Sequence, residues 1–134
     1  MTNPVMLQLE RLLEAYIGPD MLERLDRMQS RLADRNSDDF GFAPENLKWA
    51  MPLCAFLHRY WFRVECEGLE NLGDGRTLLV ANHSGQIPID GIMIATTVLL
   101  NSHPPRPVRS MVERWVSPLP CANVLFARLG QVLG

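Results

Sequence analysis

From Val5 to Ile17, apolar Val5, Met6, Leu9, Leu12, Leu13, Tyr16 and Ile17 recur at helical spacing against polar Gln8, Glu10, Arg11 and Glu14. That period predicts an amphipathic helix. Gly18-Pro19 interrupts the pattern, and Asp20 is placed to cap a second helix with Met21, Leu22, Leu25, Met28 and Leu32 on one side. The polar, glycine-containing stretch 36–42 reads as a loop closing a helical arm over residues 1–42. Pro44 suits the first turn of a third helix presenting Leu47, Trp49, Met51, Leu53, Phe56, Leu57, Tyr60 and Trp61, which Pro52 should kink or divide. Its aromatic stripe has two readings. It packs onto neighbouring elements, or, with Lys48, His58, Arg59 and Arg63, it lies in a lipid headgroup layer.

The period then changes. Phe62, Val64 and Cys66 alternate with Arg63, Glu65 and Glu67, which predicts a strand with one buried face, and turn formers fill the stretch from Gly68 to Arg76. The unbroken run Leu78-Leu79-Val80-Ala81 predicts a strand covered on both faces. A polar loop 82–88, a helix from about Asp90 to Leu100, the proline-rich turn 103–107 and a strand Val108 to Val112 follow. Strand, helix and strand make a βαβ unit, with ligands expected at the carboxyl ends of the strands, where His83 falls. A last helix opens at Ser117-Pro118 and ends at Gly130, and Gln131-Val132-Leu133 reads as a strand beginning. The expected fold class is therefore α/β, a mixed or parallel sheet with flanking helices and an N-terminal arm. Residues 43–134 form the first part of that domain.

Composition narrows the classes. With 47% hydrophobic and 21% charged residues the 134-residue chain should fold around a core, and a net charge of −2 gives no global pull toward nucleic acid. Cys54, Cys66 and Cys121 are odd in number and lack Cys-x-x-Cys spacing, so neither a disulfide framework nor a zinc knuckle is expected and a reducing compartment fits. The first residues lack the pattern of a secretory signal, and the most apolar run, Gly91 to Leu100, is shorter than the roughly 20 residues that cross a bilayer.

The chemistry concentrates at Asn82-His83-Ser84-Gly85-Gln86-Ile87-Pro88-Ile89-Asp90. A histidine just after a strand and an aspartate at the start of the next helix can meet across the loop. The carboxylate would then hold the Nδ1 proton and leave Nε2 to take a proton from an alcohol. A histidine bonded to a loop carbonyl and an aspartate that only caps a helix are the plainer alternatives. Ser84 lacks a Gly-x-Ser-x-Gly elbow and is a poor candidate nucleophile. Gly85 permits a tight turn, and its amide could join an oxyanion site. Arg106 and Arg109 could meet anionic headgroups or coenzyme A phosphates, and no residue set at metal-ligand spacing is seen.

This segment resembles the histidine-acid motif of the glycerolipid (lysophospholipid) acyltransferase family. The approach Tyr60-Trp61-Phe62-Arg63-Val64-Glu65-Cys66-Glu67-Gly68-Leu69-Glu70-Asn71-Leu72 and Thr77-Leu78-Leu79-Val80-Ala81 is similar to the family's first strands and turn, and Phe126-Ala127-Arg128-Leu129-Gly130-Gln131-Val132 to the entry into its second motif. The resemblance implies acyl transfer from an acyl-CoA or acyl-carrier-protein thioester to a glycerolipid alcohol. His83 and Asp90 would be the catalytic pair, and Ser84, Gly85 and Arg128 substrate contacts. It further implies no metal or redox cofactor, a membrane surface as partner, and a place in the cytoplasm at the membrane periphery. The six residues between His83 and Asp90 exceed the family's common spacing, and its third motif, a Phe-Pro-Glu-Gly-Thr-Arg-like segment, does not occur. The rival expectation is an inactive fragment acting as a membrane-peripheral interaction module through its amphipathic helices.

Overall fold

The apolar spacing at Met21, Leu25 and Met28 puts these side chains on one face of a helix, and that face is buried in the computed structural model. Residues 18–32, 40–83, 88–113 and 122–134 are described, together with Pro4, Gln8, Arg11 and Ala15, which are helical and exposed. The apolar positions of the expected first helix, most of the loop 36–42 and the opening at Ser117-Pro118 lie outside the described residues.

Helix α1 spans Pro19–Leu32 and starts after Gly18, whose φ of +82° suits glycine, so Asp20 stands in its first turn and not at its cap. A 3₁₀ turn, Pro44–Asn46, leads into α2, Leu47–Phe56, which runs through Pro52 and continues as a π-helical turn, Leu57–Trp61. Pro52 therefore does not divide this helix. Helix α3 spans Ile89–Asn101. Strand β1, Met111–Val112, pairs in parallel with β2, Val132–Leu133, and α4, Ala122–Arg128, precedes β2.

The core is a three-helix contact. Met21, Leu25 and Met28 of α1 meet Met51 and Ala55 of α2 and Leu99 and Leu100 of α3. The arm helix α1 thus packs into the same core as the rest of the chain. Lys48 and Asp26 form an ion pair between α2 and α1. Arg24 donates to the carbonyls of Leu100 and Ser102, closing the C-terminal end of α3 where free carbonyls and the negative end of the helix dipole call for a cation. Burial lowers the Arg24 pKa, against the opposing attraction of Asp20. The buried hydroxyls of Thr96 and Thr97 donate to Ile92 and Met93 one turn back, so α3 buries them without leaving donors open.

The expected α/β sheet is not formed. Among the described residues the protein is mainly helical, and its strands are two segments of two residues each. Leu78 and Val80 are 83% and 87% exposed, and no described strand pairs with their run. The alternating stretch from Phe62 fails for a local reason. The amides of Phe62 and Val64 donate back to the carbonyls of Leu57 and His58, and Arg63 has a φ of +50°, outside the extended region. These residues cap a helix and cannot join a ladder. Of the strand expected over 108–112, only Met111 and Val112 pair. The βαβ unit leading into α3 therefore lacks its first strand.

His58 is buried, contrary to a place in a headgroup layer, with Nε2 2.8 Å from the Thr97 hydroxyl. That hydroxyl already donates to Met93, so His58 Nε2 carries the proton and donates. Nδ1 has no partner among the described residues. Burial, helped by Arg59, lowers the His58 pKa from the ordinary 6.5. The unfolded chain therefore binds this proton more readily, and the stabilisation present above pH 6.5 is lost as pH falls through the lower folded value. Urea titrations across this range should show stability falling with acidification in the wild type and a flatter profile in His58→Leu. Arg24→Ala should lower the unfolding free energy by about 1.5–3 kcal/mol in the same assay, the scale of a charged hydrogen bond.

Candidate active site

Pro88 precedes the first turn of α3, and Asp90 follows in that turn, where the positive end of the helix dipole stabilises a carboxylate. The Gly91 amide donates to Asp90 Oδ1 at 2.7 Å, which fixes the carboxylate on the helix. His83 Nδ1 then lies 2.8 and 2.9 Å from the two Asp90 oxygens. A carboxylate can only accept here, so Nδ1 carries a proton, and in the neutral ring Nε2 carries the lone pair. Nε2 has no partner among the described residues. The longer interval between His83 and Asp90 still closes into direct contact. The helix start positions the pair, since the residues before His83 form no strand.

His83 and Asp90 border a cavity of about 430 Å³ between α2, α3 and the β1–β2 pair. Its walls are mostly apolar, from Leu47, Ala50 and Met51 of α2 through Ala95 and Leu99 of α3 to Phe126 and Leu129. The size lies within the range of small-molecule sites, which typically combine apolar walls with a few convergent polar groups. A second cavity of about 490 Å³ lies beside α3 under residues 64–79, and Ile94 lines both.

The other expected site residues are placed differently. Ser84 and Gly85 lie outside the described residues. Arg128 is exposed and does not line the cavity, although Phe126 and Leu129 around it do. Arg106 donates to the carbonyls of Gly73 and Gly75 at 2.6 and 2.7 Å, tying the proline-rich turn to that loop. Arg109 donates from Nε to the Gly130 carbonyl at 2.7 Å and stacks 4.9 Å from the Phe42 ring centre. Both arginines hold backbone. Gly130 ends α4 as expected, with a φ of +96° that favours glycine and tight quarters beside Arg109 and Phe42.

Polar residues to which the sequence reading gave no site role also line the cavity, among them Cys54, Glu113 and Gln131. Cys54 lines it from α2, and burial raises its pKa, against a hydrogen bond with Thr96, so the thiol form is favoured. Glu113 and Gln131 stand directly after β1 and directly before β2. The rule that ligands gather at carboxyl ends of parallel strands would have found Glu113, had β1 been the strand it was applied to. No group of three or more metal-ligating side chains occurs among the described residues, and none of their helices is long and apolar enough to cross a membrane.

Comparison with known proteins gives relatives of no stated activity. An uncharacterized protein of Mycobacterium tuberculosis is 37% identical over 108 residues, covering 78% of this chain and 30% of its own length. One of Mycobacterium leprae is likewise 37% identical over 108 residues, covering 78% of this chain and 29% of its own length. The chain thus spans about 30% of the curated relatives it matches. No family model and no solved structure matches the chain.

The tautomer is open to direct measurement. Proton–nitrogen correlation spectra of neutral His83 should show the proton on Nδ1, and Asp90→Ala should move it mainly to Nε2. The same tautomer in both proteins would show that Asp90 does not orient the ring.

Proposed function

We propose that the chain carries the general base of an acyltransferase, moving a fatty acyl group from an acyl-CoA or acyl-carrier-protein thioester to an alcohol of a glycerolipid or lysophospholipid. The observation that supports this reading is the contact of His83 Nδ1 with the Asp90 carboxylate at 2.8 Å, on the edge of an apolar cavity. The resemblance of the segment from Asn82 to Asp90 to the acyltransferase motif supplies the choice of reaction.

In this reading His83 Nε2 accepts the proton of the acceptor alcohol as its oxygen attacks the thioester carbonyl carbon. Asp90 keeps the ring in the required tautomer and stabilises the imidazolium. Collapse of the tetrahedral intermediate breaks the carbon–sulfur bond, and the imidazolium returns its proton to the leaving thiolate. The products are an ester and a free thiol. The apolar walls suit an acyl chain, and half-buried Cys54, held as a thiol, is a lining group in this scheme.

Acyl-CoA consumption with a lysophospholipid acceptor tests the reading. His83→Ala should lower the rate by about 100- to 10,000-fold, the usual contribution of a positioned general base. Equal turnover in wild type and His83→Ala would remove it, as would fatty acid release that needs no acceptor.

A further inference from the structure

Helix α2 and the π turn after it have two opposed faces. Met51, Ala55 and His58 are buried, whereas Trp49, Leu53, Phe56 and Tyr60 are 50%, 64%, 38% and 60% exposed. The intervals between these four, of four, three and four residues, place them on one stripe, about 17 Å long at 1.5 Å per residue. Phe56 and Tyr60 pack at a tilt with ring centres 5.7 Å apart, and Trp61 extends the apolar surface at 70% exposure. We infer that this stripe is a bilayer-docking surface, lying in the interface of a membrane that contains anionic lipid.

The chemistry along the stripe favours lipid. Trp49 stands at one end and Tyr60 with Trp61 at the other, amphipathic rings that settle where hydrocarbon meets headgroups, and purely apolar Leu53 and Phe56 lie between them. Lys48 is taken by Asp26, which leaves Arg59 and Arg63 as the exposed cations at the Tyr60 end, with no ion-pair partner among the described residues. Guanidinium groups beside an apolar stripe match anionic headgroups. The four exposed side chains of the stripe lie along one face of a single helix. Leu47, Ala50, Met51 and Cys54 on the other face of α2 line the cavity bordered by His83 and Asp90. Docking would therefore hold that cavity about one helix diameter, roughly 10 Å, from the lipid. The inference rests on the stripe and not on the acyl-transfer reading, so the two fail separately.

Co-sedimentation with vesicles of phosphatidylcholine alone, and of phosphatidylcholine mixed with phosphatidylglycerol, tests it without any activity assay. Wild type should bind both and the anionic vesicles more tightly. Trp49→Ser combined with Leu53→Ser and Tyr60→Ser should weaken binding at least about tenfold on both, and all three positions are exposed, so the fold should persist. Arg59→Gln and Arg63→Asn should each cost about fivefold on anionic vesicles only, the worth of one juxtamembrane cation. The single variant Trp49→Ser, with an unchanged thermal melt, should show a smaller loss in the same direction. Absence of wild-type binding, or equal binding by the triple variant, would overturn the inference. A concentration-dependent dimer of wild type in sedimentation velocity, dissolved by the triple variant, would assign the stripe to a second copy of the chain and would equally overturn it.

Discussion

The burial of the C-terminal half of α3 against α1 and α2 is the constraint from which the rest of the structure follows. Thr96 to Leu100 are all buried, and their hydroxyls are satisfied within the helix. The carbonyls at the helix end that lack a partner within the helix accept from Arg24 of α1. With that end fixed, the other end of the same rigid rod presents Asp90 at a set place. A helix is a good carrier for such a group because its first turn supplies both a dipole and free amides. The Gly91 amide is the one that Asp90 uses.

Much of the helical architecture was legible because its signals are local. Gly18-Pro19, Pro44 and Gly130 punctuate the chain through their own backbone preferences, and the spacing of Met21, Leu25 and Met28 follows from helix geometry alone. Strand patterns carry less, since alternation describes a side-chain distribution and says nothing about which backbone will accept the hydrogen bonds. Phe62 and Val64 alternate correctly and still give their amides to the preceding helix. Leu78 to Ala81 has the composition of a buried strand, yet no described strand pairs with it. An apolar run reports a need for cover without naming what provides it.

The histidine-acid contact was readable from a short sequence interval because both groups belong to one loop and the helix after it. The remainder of the cavity was not. Cys54 reaches it from α2, and Glu113 and Gln131 from the β1–β2 pair, so their meeting depends on tertiary packing between segments far apart in sequence. The arginines show the converse. Arg106 and Arg109 invited a ligand role through charge, whereas their partners are the carbonyls of Gly73, Gly75 and Gly130. Turns rich in glycine and proline expose many carbonyls, and a guanidinium with several donors is an efficient way to satisfy them.

Ile94 has a consequence for the volume of this protein's interior. It lines both cavities, of about 430 and 490 Å³, so one side chain of α3 borders both spaces. Ile94 stands one helical turn after Asp90, on a rod whose far end is anchored by buried packing. A change in the size of this one side chain would therefore alter both spaces at once. The side chain that borders both spaces and the carboxylate that meets His83 thus belong to neighbouring turns of the same helix.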